Sequence, residues 1–263
     1  KLKSMFENSP RFNMFELDIT HDSSINELRR FVDDLLQQRE GLQLTAFVNN
    51  CGVMVFGESE WQTNEIIEQQ INVNLLGTIK MTRTMLPLAR KHKSRIINVT
   101  SHCSIKALPT LSIYASTKAG LAAFTEGLRL EMKQYGVDVI NFIPGSFWTT
   151  SNISALQLKY SAEMRESFNE EQLNYYGDYF DRLNKALTYI SGEKDPVVLP
   201  DENVLKTFEE ALLDSPPKAR YLCEPWRYKI YHLLFRITPL PLSDWLTWKF
   251  MCFPRFDITK AIK

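Results

Sequence analysis

Short apolar runs alternate along the chain with longer segments whose apolar residues recur at helical spacing. The short runs occupy 42–52, 94–101, 137–145 and 219–225, and two long helical segments lie between them at 66–92 and 114–136. Strands separated by helices pair in parallel, because a parallel connection needs a crossover of roughly a dozen residues. The pattern therefore predicts an α/β fold, a doubly wound parallel sheet with helices on both faces.

Two further elements are predicted near the first residues. Residues 12–20 (FNMFELDIT) alternate apolar and polar side chains, as a half-buried strand does. Residues 23–38 form a helical pattern behind a serine, a residue type that caps helix N-termini well. The apolar face of this helix is predicted to consist of Ile25, Leu28, Phe31, Leu35 and Leu36.

Charge and cysteine usage exclude several classes of function. The 31 Lys and Arg balance the 31 Asp and Glu of the 263 residues, so no basic surface for a phosphate backbone is expected and nucleic acid is excluded as a partner. Cys51, Cys103, Cys223 and Cys252 are far apart and form no CxxC pair. This spacing argues against a disulfide framework or a metal site and favours an intracellular protein.

Polar residues stand at or just after the ends of three of the predicted strands. They are NNCG at 49–52, NVTS at 98–101 and IPGSFWTT at 143–150. In an open parallel sheet, ligands bind beyond the carboxyl ends of the strands. These three segments are therefore expected to line one crevice.

The segment SIYASTKAG at 112–120 places Tyr114 and Lys118 one helical turn apart on one face. A neighbouring ammonium favours the phenolate, so we expect Lys118 to lower the pKa of Tyr114 towards that of a general base. Ser101 ends the preceding strand, where its hydroxyl can donate to an alkoxide or carbonyl oxygen. His102 is badly placed to deprotonate Ser101 and no GxSxG surrounds that serine, so hydrolase chemistry is not expected. The arrangement suits alcohol–carbonyl interconversion with a hydride-carrying cofactor.

These motifs resemble the short-chain dehydrogenase/reductase family, in the branch of 17-beta-hydroxysteroid, retinol and 3-hydroxybutyrate dehydrogenases. The matching segments are NNCG (49–52), NVNLLG (72–77), INVTS (97–101), YASTK (114–118) and IPGSFWT (143–149). Ser101 precedes Tyr114 by the interval usual in that family. The resemblance implies a Rossmann-like sheet and NAD or NADP as cofactor, with NAD favoured.

By this resemblance, Tyr114 is the catalytic acid/base and Ser101 hydrogen-bonds the substrate oxygen. Lys118 holds the nicotinamide ribose and lowers the pKa of the tyrosine. Asn74 anchors a water in a proton relay through Lys118. A structural alternative for Asn74 is a bond to backbone at a kink in the helix.

The resemblance also assigns residues to the cofactor site. Besides Tyr114 and Lys118, they are Asp18, Asn49, Asn50, Gly52, Pro144, Gly145 and Thr149. Asp18 is expected to accept from the adenine amino group, and Thr149 to reach the carboxamide or a phosphate. Their structural alternatives are a helix cap for Asp18 and an ordinary loop hydroxyl for Thr149.

One departure from the family pattern concerns the cofactor phosphates. No TGxxxGxG run, whose glycines let backbone amides approach a pyrophosphate, precedes Phe12. We therefore expect an N-terminally incomplete sheet that lacks its first βαβ portion. The chain would then be a fragment of a longer protein, or an isoform that does not bind dinucleotide unaided.

The chain is expected to divide into a catalytic domain, 1–225, and a hydrophobic tail, 226–263. Residues 151–200 are interpreted as a substrate lid, whose Tyr175, Tyr176, Tyr179 and Phe180 either line an apolar pocket or pack internally. Residues 226–253 contain no uninterrupted apolar stretch of the roughly 18–20 residues that a spanning helix needs. This segment either contacts a membrane surface peripherally, at the endoplasmic reticulum or mitochondrion, or packs against protein.

The expected substrate is a lipophilic alcohol or ketone such as a steroid or retinoid. A homo-oligomer is also expected, since the family pairs subunits through the helices that carry Asn74 and Tyr114. The stripe Leu121, Phe124, Leu128 and Met132 fits such an interface or burial within one domain. The alternative function is that of a catalytically inactive relative acting as a binding or membrane-associated protein.

Overall fold

A four-stranded parallel sheet forms the centre of the fold. The structure is a computed structural model that describes residues 11–145, 151–188, 203–223, 226–251 and 253–257. Within these residues β1 (Ala46–Asn49), β2 (Arg95–Val99), β3 (Asp138–Ile143) and β4 (Arg220–Leu222) lie side by side in chain order. Each neighbouring pair is parallel. The α/β fold with a parallel sheet, predicted from the sequence, is confirmed.

Helices connect the strands and flank the sheet. They are α1 (Asp22–Gln38), α2 (Asn64–Ile71), α3 (Thr78–His92), α4 (Ser112–Met132), α5 (Gln157–Ser167), α6 (Glu170–Leu187), α7 (Asn203–Leu213), α8 (Trp226–Ile237) and α9 (Leu240–Met251). A π-helical turn, Asn72–Gly77, joins α2 to α3. The crossover between β1 and β2 therefore contains α2 and α3, and the crossover between β2 and β3 contains α4.

Side-chain alternation along β2 and β3 builds a core on each face of the sheet. Ile96 and Val139 pack with residues of α3 and α4, whereas Ile97 and Ile140 pack with residues of α7. All four side chains are at most 2% exposed. Burying one such aliphatic side chain contributes roughly 1.5–3 kcal/mol. The two cores thus fix the sheet whose carboxyl edge carries the candidate site.

The apolar stripe of α4 packs inside the domain. Leu121, Leu128 and Met132 are buried, and Phe124 packs against the cluster that contains Leu128 and Met132. The sequence left two alternatives for this stripe, a subunit interface or burial within one domain. In the structure the stripe is buried within one domain. The stripe therefore gives no support to a subunit interface.

The strand predicted at 12–20 is wrong. Residues 11–20 belong to no strand, and β1 is the edge of the sheet in the part of the chain that the structure describes. A strand needs a neighbouring chain with which to form hydrogen bonds, so alternation alone does not create one. Leu17 instead packs on the cluster between α1 and α3, and the ring of Phe15 lies 5.3 Å from that of Phe31.

Helix α1 begins before the serine expected to cap it. His21 is the N-cap residue and makes no side-chain cap hydrogen bond. Ser24 Oγ accepts from the backbone N–H of Asp18 at 3.0 Å. The serine therefore ties the preceding turn to the first turn of the helix, whose buried Ile25 packs against α3.

The end of the last helix packs against the body of the domain. Met251 at the end of α9 is buried in the cluster that contains Tyr114, and Phe253 and Phe256 pack against that cluster. In the described parts of the chain, no helix combines the length and the apolar composition that crossing a bilayer requires. The boundary at 225 between a catalytic domain and a tail stays a prediction.

Candidate active site

The four residues predicted to be catalytic lie on elements that meet at the carboxyl ends of β1 and β2. Ser101 follows β2, and Tyr114 and Lys118 occupy the first two turns of α4. The Lys118 ammonium lies 5.9 Å from the centre of the Tyr114 ring. Asn74 comes from the π-helical turn between α2 and α3. Single π-helical turns within helices occur often at functional sites.

Asn74 ties the loop after β1 to helix α4. Its Oδ1 accepts from the N–H of Val53 at 2.8 Å, and its Nδ2 donates to the Val53 carbonyl at 2.8 Å and to Thr117 Oγ1 at 3.1 Å. Both amide protons are thereby used. Asn74 is fully buried, so these bonds fix the loop beside the candidate site. This geometry agrees with the backbone-bonding alternative, and a role in anchoring a water stays a prediction.

Lys118 is a buried cation at the end of the sheet. Its side chain is 2% exposed, and Nζ donates to the Val99 carbonyl at 3.0 Å. Burial disfavours the charged form and lowers the pKa of Lys118 to about 8. The ammonium is therefore held where the polar ends of β1 and β2 converge.

The pKa of Tyr114 shifts opposite to the sequence-based expectation. Burial of the phenol, which is 3% exposed, raises the pKa of Tyr114, and the neighbouring Cys103 adds to this rise. A hydrogen bond with Ser101 lowers the pKa of Tyr114, but by less than burial raises it. The Lys118 ammonium donates to the Val99 carbonyl and lies 5.9 Å from the ring centre of Tyr114. With its pKa raised, Tyr114 is a neutral phenol at neutral pH.

Ser101 starts a short 3₁₀ turn that brings Cys103 into the site. Ser101 Oγ accepts from the N–H of Cys103 at 3.1 Å, and its hydroxyl also hydrogen-bonds to the Tyr114 phenol. Burial raises the pKa of the Cys103 thiol to about 11. The sequence analysis did not identify Cys103 as a neighbour of Tyr114. The 3₁₀ turn after Ser101 brings the two residues together, and no spacing motif indicates that turn.

The residues assigned to the cofactor turn have different roles in the structure. Asn49 Nδ2 donates to Thr82 Oγ1 at 3.0 Å and to Asn98 Oδ1 at 2.7 Å, so this side chain joins β1 to β2 and α3. Asn50 is exposed on the loop that follows. A Cβ at Gly52 would lie 3.4 Å from both Asn74 Oδ1 and the Lys118 ammonium. Gly52 therefore lies within van der Waals distance of these two side chains.

The remaining assignments to the cofactor site are Asp18, Pro144, Gly145 and Thr149. Asp18 accepts from the N–H of Thr20 at 2.9 Å and from its hydroxyl at 2.7 Å, and the bond from the Thr20 side chain is the main cause that lowers the pKa of Asp18. Asp18 therefore lies in the turn that precedes α1 and does not cap that helix, whose N-cap residue is His21. Pro144 and Gly145 directly follow β3, and Thr149 lies outside the described residues. Binding of adenine by Asp18, or of a cofactor by the others, stays a prediction.

Three of the four aromatic residues singled out in the lid segment, Tyr176, Tyr179 and Phe180, pack around Trp61. Helix α6 is started by a capping box in which the Asn169 side chain accepts from the N–H of Gln172. Tyr179 and Phe180 on α6 are each 3% exposed, with ring centres 5.4 and 5.2 Å from that of Trp61. These two side chains therefore follow the packing alternative, while Tyr175 is 43% exposed.

Comparison with known proteins agrees with this arrangement. The family described as short chain dehydrogenase matches residues 1–158. Human 17-beta-hydroxysteroid dehydrogenase type 2 is 32% identical across 90% of this chain, and the chain spans 60% of that protein. Mouse retinol dehydrogenase 7 is 31% identical across 90% of this chain and 72% of that protein.

A solved structure supports the fold independently. A short-chain dehydrogenase from Streptomyces avermitilis aligns with a TM-score of 0.64 over 95% of this chain and 83% of that one, at 20% identity. Such an alignment bears on the fold alone. With the family match over more than half of the sequence and the retinol dehydrogenase at 31% identity, the chain belongs to the short-chain dehydrogenase family.

Proposed function

We propose that the protein to which this chain belongs is an oxidoreductase that interconverts an alcohol and a carbonyl with a nicotinamide cofactor. The substrate proposed is lipophilic, a steroid or retinoid. The observation that carries the proposal is the meeting of Ser101, Tyr114, Lys118 and Asn74 at the carboxyl ends of β1 and β2. The names of the relatives, a hydroxysteroid and a retinol dehydrogenase, support the substrate class.

The residues at this edge fit the nicotinamide half of a dinucleotide. Gly52 lies beside the Lys118 ammonium, which is able to donate to ribose hydroxyls, and beside Asn74, whose two amide protons are already used within the protein. Pro144 and Gly145 would border the ring. When bound, the nicotinamide supplies or accepts the hydride that side chains cannot carry. We propose NAD in preference to NADP.

Tyr114 and Ser101 handle the proton and the substrate oxygen in this proposal. The neutral phenol of Tyr114 donates a proton to the carbonyl oxygen during reduction, and the phenolate form accepts the proton of the alcohol during oxidation. The Ser101 hydroxyl donates to the same oxygen and stabilises the charge that develops on it. Because burial raises the pKa of Tyr114, the phenol is in the protonated form that reduction needs at neutral pH.

Turnover tests the proposal. The protein expressed from its complete natural gene is mixed with estradiol or all-trans-retinol and with NAD⁺ or NADP⁺, and formation of reduced cofactor is followed by absorbance. We expect reduced cofactor with at least one of the two alcohols, and a higher kcat/KM with NAD⁺. Dinucleotide binding without turnover of either alcohol would support the inactive relative instead.

We also propose that α8 and α9 touch a membrane surface and that the protein is an intracellular homo-oligomer located at the endoplasmic reticulum or mitochondrial membrane. Large apolar side chains on these helices are 46–70% exposed, namely Ile230, Leu233, Ile237, Leu240, Leu242 and Trp245. Lys and Arg outnumber Asp and Glu over residues 226–257, which favours an anionic lipid surface. Exposed apolar side chains bordered by cations are typical of interfacial helices.

Flotation with phosphatidylserine-containing vesicles tests the membrane contact. Leu240→Glu, at a side chain 70% exposed, is expected to reduce the floated fraction severalfold. Leu130→Glu, at a side chain 62% exposed on α4, is the matched control and should float like the unmodified protein. Equal flotation of the two variants would reject contact through α9. Sedimentation of the same samples without vesicles gives the number of subunits. A monomeric protein would contradict the proposed homo-oligomer.

A further inference from the structure

Two amide side chains hold the loop after β1, residues 53–57, in the same way. Asn74 bonds to both backbone groups of Val53, and Gln157 bonds to both backbone groups of Phe56. The Gln157 Oε1 accepts from the Phe56 N–H at 2.8 Å, and its Nε2 donates to the Phe56 carbonyl at 2.8 Å. One of these amides belongs to the candidate active site, and the other to the first residue of α5 in the lid segment.

Further contacts fix the orientation of the Gln157 amide. Gln157 is fully buried, and its Nε2 also donates to Ser161 Oγ at 3.2 Å. The Ser161 hydroxyl donates to Asn184 Oδ1 on α6, so both lid helices take part in this arrangement. The amide oxygen and both amide protons of Gln157 are thereby used. An apolar side chain at this position would leave the N–H and the carbonyl of Phe56 without these partners.

Backbone bonds and close packing join the loop to the same lid segment. The N–H of Met54 donates to the carbonyl of Ile153, in the 3₁₀ turn before α5, at 3.2 Å. A Cβ at Gly57 would lie 2.7 Å from the sulfur of Met164, which is fully buried on α5. On its other side, the N–H of Gly57 donates to the carbonyl of Thr110, just before α4, at 2.9 Å. The loop therefore lies between the lid segment and the segment that leads into α4.

We infer that Gln157 is a positioning residue that couples the lid segment to the candidate catalytic residues. It holds one end of the loop through Phe56, and Asn74 holds the other end through Val53. Asn74 in turn donates to Thr117 on α4, the helix that carries the candidate acid/base. This inference rests on the proposed function and names the residue through which a movement of the lid reaches the site.

The cost of unpaired backbone groups makes the two segments move together. If α5 moved away alone, the N–H and the carbonyl of Phe56 would be left buried without partners, which is unfavourable. The loop is therefore expected to follow α5, and its bonds with Asn74 then change as well. A displacement of about 1 Å in a reacting group is enough to lower a rate by about a hundredfold. The position of the lid thus determines whether the reacting groups are aligned.

Hydrogen exchange of the unmodified protein tests the coupling without any turnover. The protein is expressed from its complete gene, and exchange is resolved to single amides by mass spectrometry. The amides of Val53, Phe56 and residues 161–164 of α5 should open together, with protection factors within about threefold of one another. The amide of Ile97, in the middle of β2, reports global unfolding and should be protected at least about tenfold more. A Val53 amide protected as strongly as that of Ile97, or differing more than about tenfold from α5, would overturn the inference.

A substitution at Gln157 tests the effect on the chemistry. Gln157→Met keeps the length of the side chain and removes its bonds, so kcat should fall about tenfold. The dissociation constant of the dinucleotide should change by less than about twofold. Tyr160→Phe, on the same helix, is the matched control, since it removes a 2.9 Å bond to Gln69 on α2 and none to the loop. Its kcat should stay within about twofold of that of the unmodified protein.

Thermal unfolding of both variants separates positioning from a purely structural role. A structural role alone would lower the unfolding midpoint without lowering kcat of the folded protein. An unchanged kcat in Gln157→Met, or an equal fall of kcat in Tyr160→Phe, would therefore contradict the inference. If Gln157→Met does not fold, hydrogen exchange of the unmodified protein decides alone. Joint exchange of the loop and α5 without turnover of either alcohol would contradict only the proposed function.

Discussion

Replacing Tyr114 with phenylalanine is expected to lower kcat about a thousandfold and to leave dinucleotide binding within about twofold. The substitution removes one oxygen, and that oxygen is the proton donor and acceptor of the proposed reaction. The ring keeps its place in the cluster with Cys103 and Leu111, so the fold is retained. Steady-state kinetics of the protein expressed from its complete gene, with cofactor binding measured by fluorescence, separates the two effects.

Tyr135→Phe is the matched control for that experiment. Tyr135 is 48% exposed and lies away from the carboxyl edge of the sheet, in the 3₁₀ turn after α4. Removing its hydroxyl should leave kcat unchanged. If Tyr114→Phe turned over at a rate similar to Tyr135→Phe, another group would have to move the proton.

Replacing Trp61 with alanine is expected to lower the free energy of unfolding by about 3–5 kcal/mol. The indole is 1% exposed, and the rings of Tyr176, Tyr179 and Phe180 pack edge-on against it with centres 5.2–5.7 Å away. In the described part of the chain its Nε1 has no hydrogen-bond partner, so the loss is one of packing. Denaturant unfolding gives the difference directly.

A surface tryptophan provides the comparison for that loss. Trp245→Ala removes a side chain that is 53% exposed and should change the unfolding free energy by less than about 1 kcal/mol. Trp61→Phe should recover part of the loss of Trp61→Ala, because a ring still fills the space. Losses of equal size at Trp61 and Trp245 would show that the aromatic cluster does not hold α6 to the domain.

The sheet was readable from the sequence because its strands are buried runs separated by helical segments. Residues 94–101 and 137–145 contain β2 and β3, where burial on both faces requires apolar side chains almost throughout. The segment 12–20 carries an equally plain alternation and forms no strand in the structure. An alternating pattern indicates which face of a strand each side chain would occupy. Whether the strand forms depends on a neighbouring strand with which to pair, and a local sequence pattern does not show whether that neighbour is present.

The positions of the candidate catalytic residues were partly predictable. A spacing of four residues puts Tyr114 and Lys118 on one face of a helix, and the structure has them there. The direction of the Tyr114 pKa shift was not predictable, because it depends on burial, and the apolar cluster that contains Tyr114 gathers residues from distant segments of the sequence. The bond from Lys106 to Ser243 spans 137 residues of sequence, and no local pattern indicates it.

Transfer of deuterium tests the central claim most directly. Estradiol labelled with deuterium on the carbon that bears the 17-hydroxyl is incubated with NAD⁺ and the protein expressed from its complete gene, and both products are analysed by mass spectrometry. The account predicts one deuterium in the reduced nicotinamide for each ketone formed, with both products almost absent for Tyr114→Phe. Ketone formed without deuterium in the nicotinamide, or equal transfer by Tyr114→Phe, would contradict it.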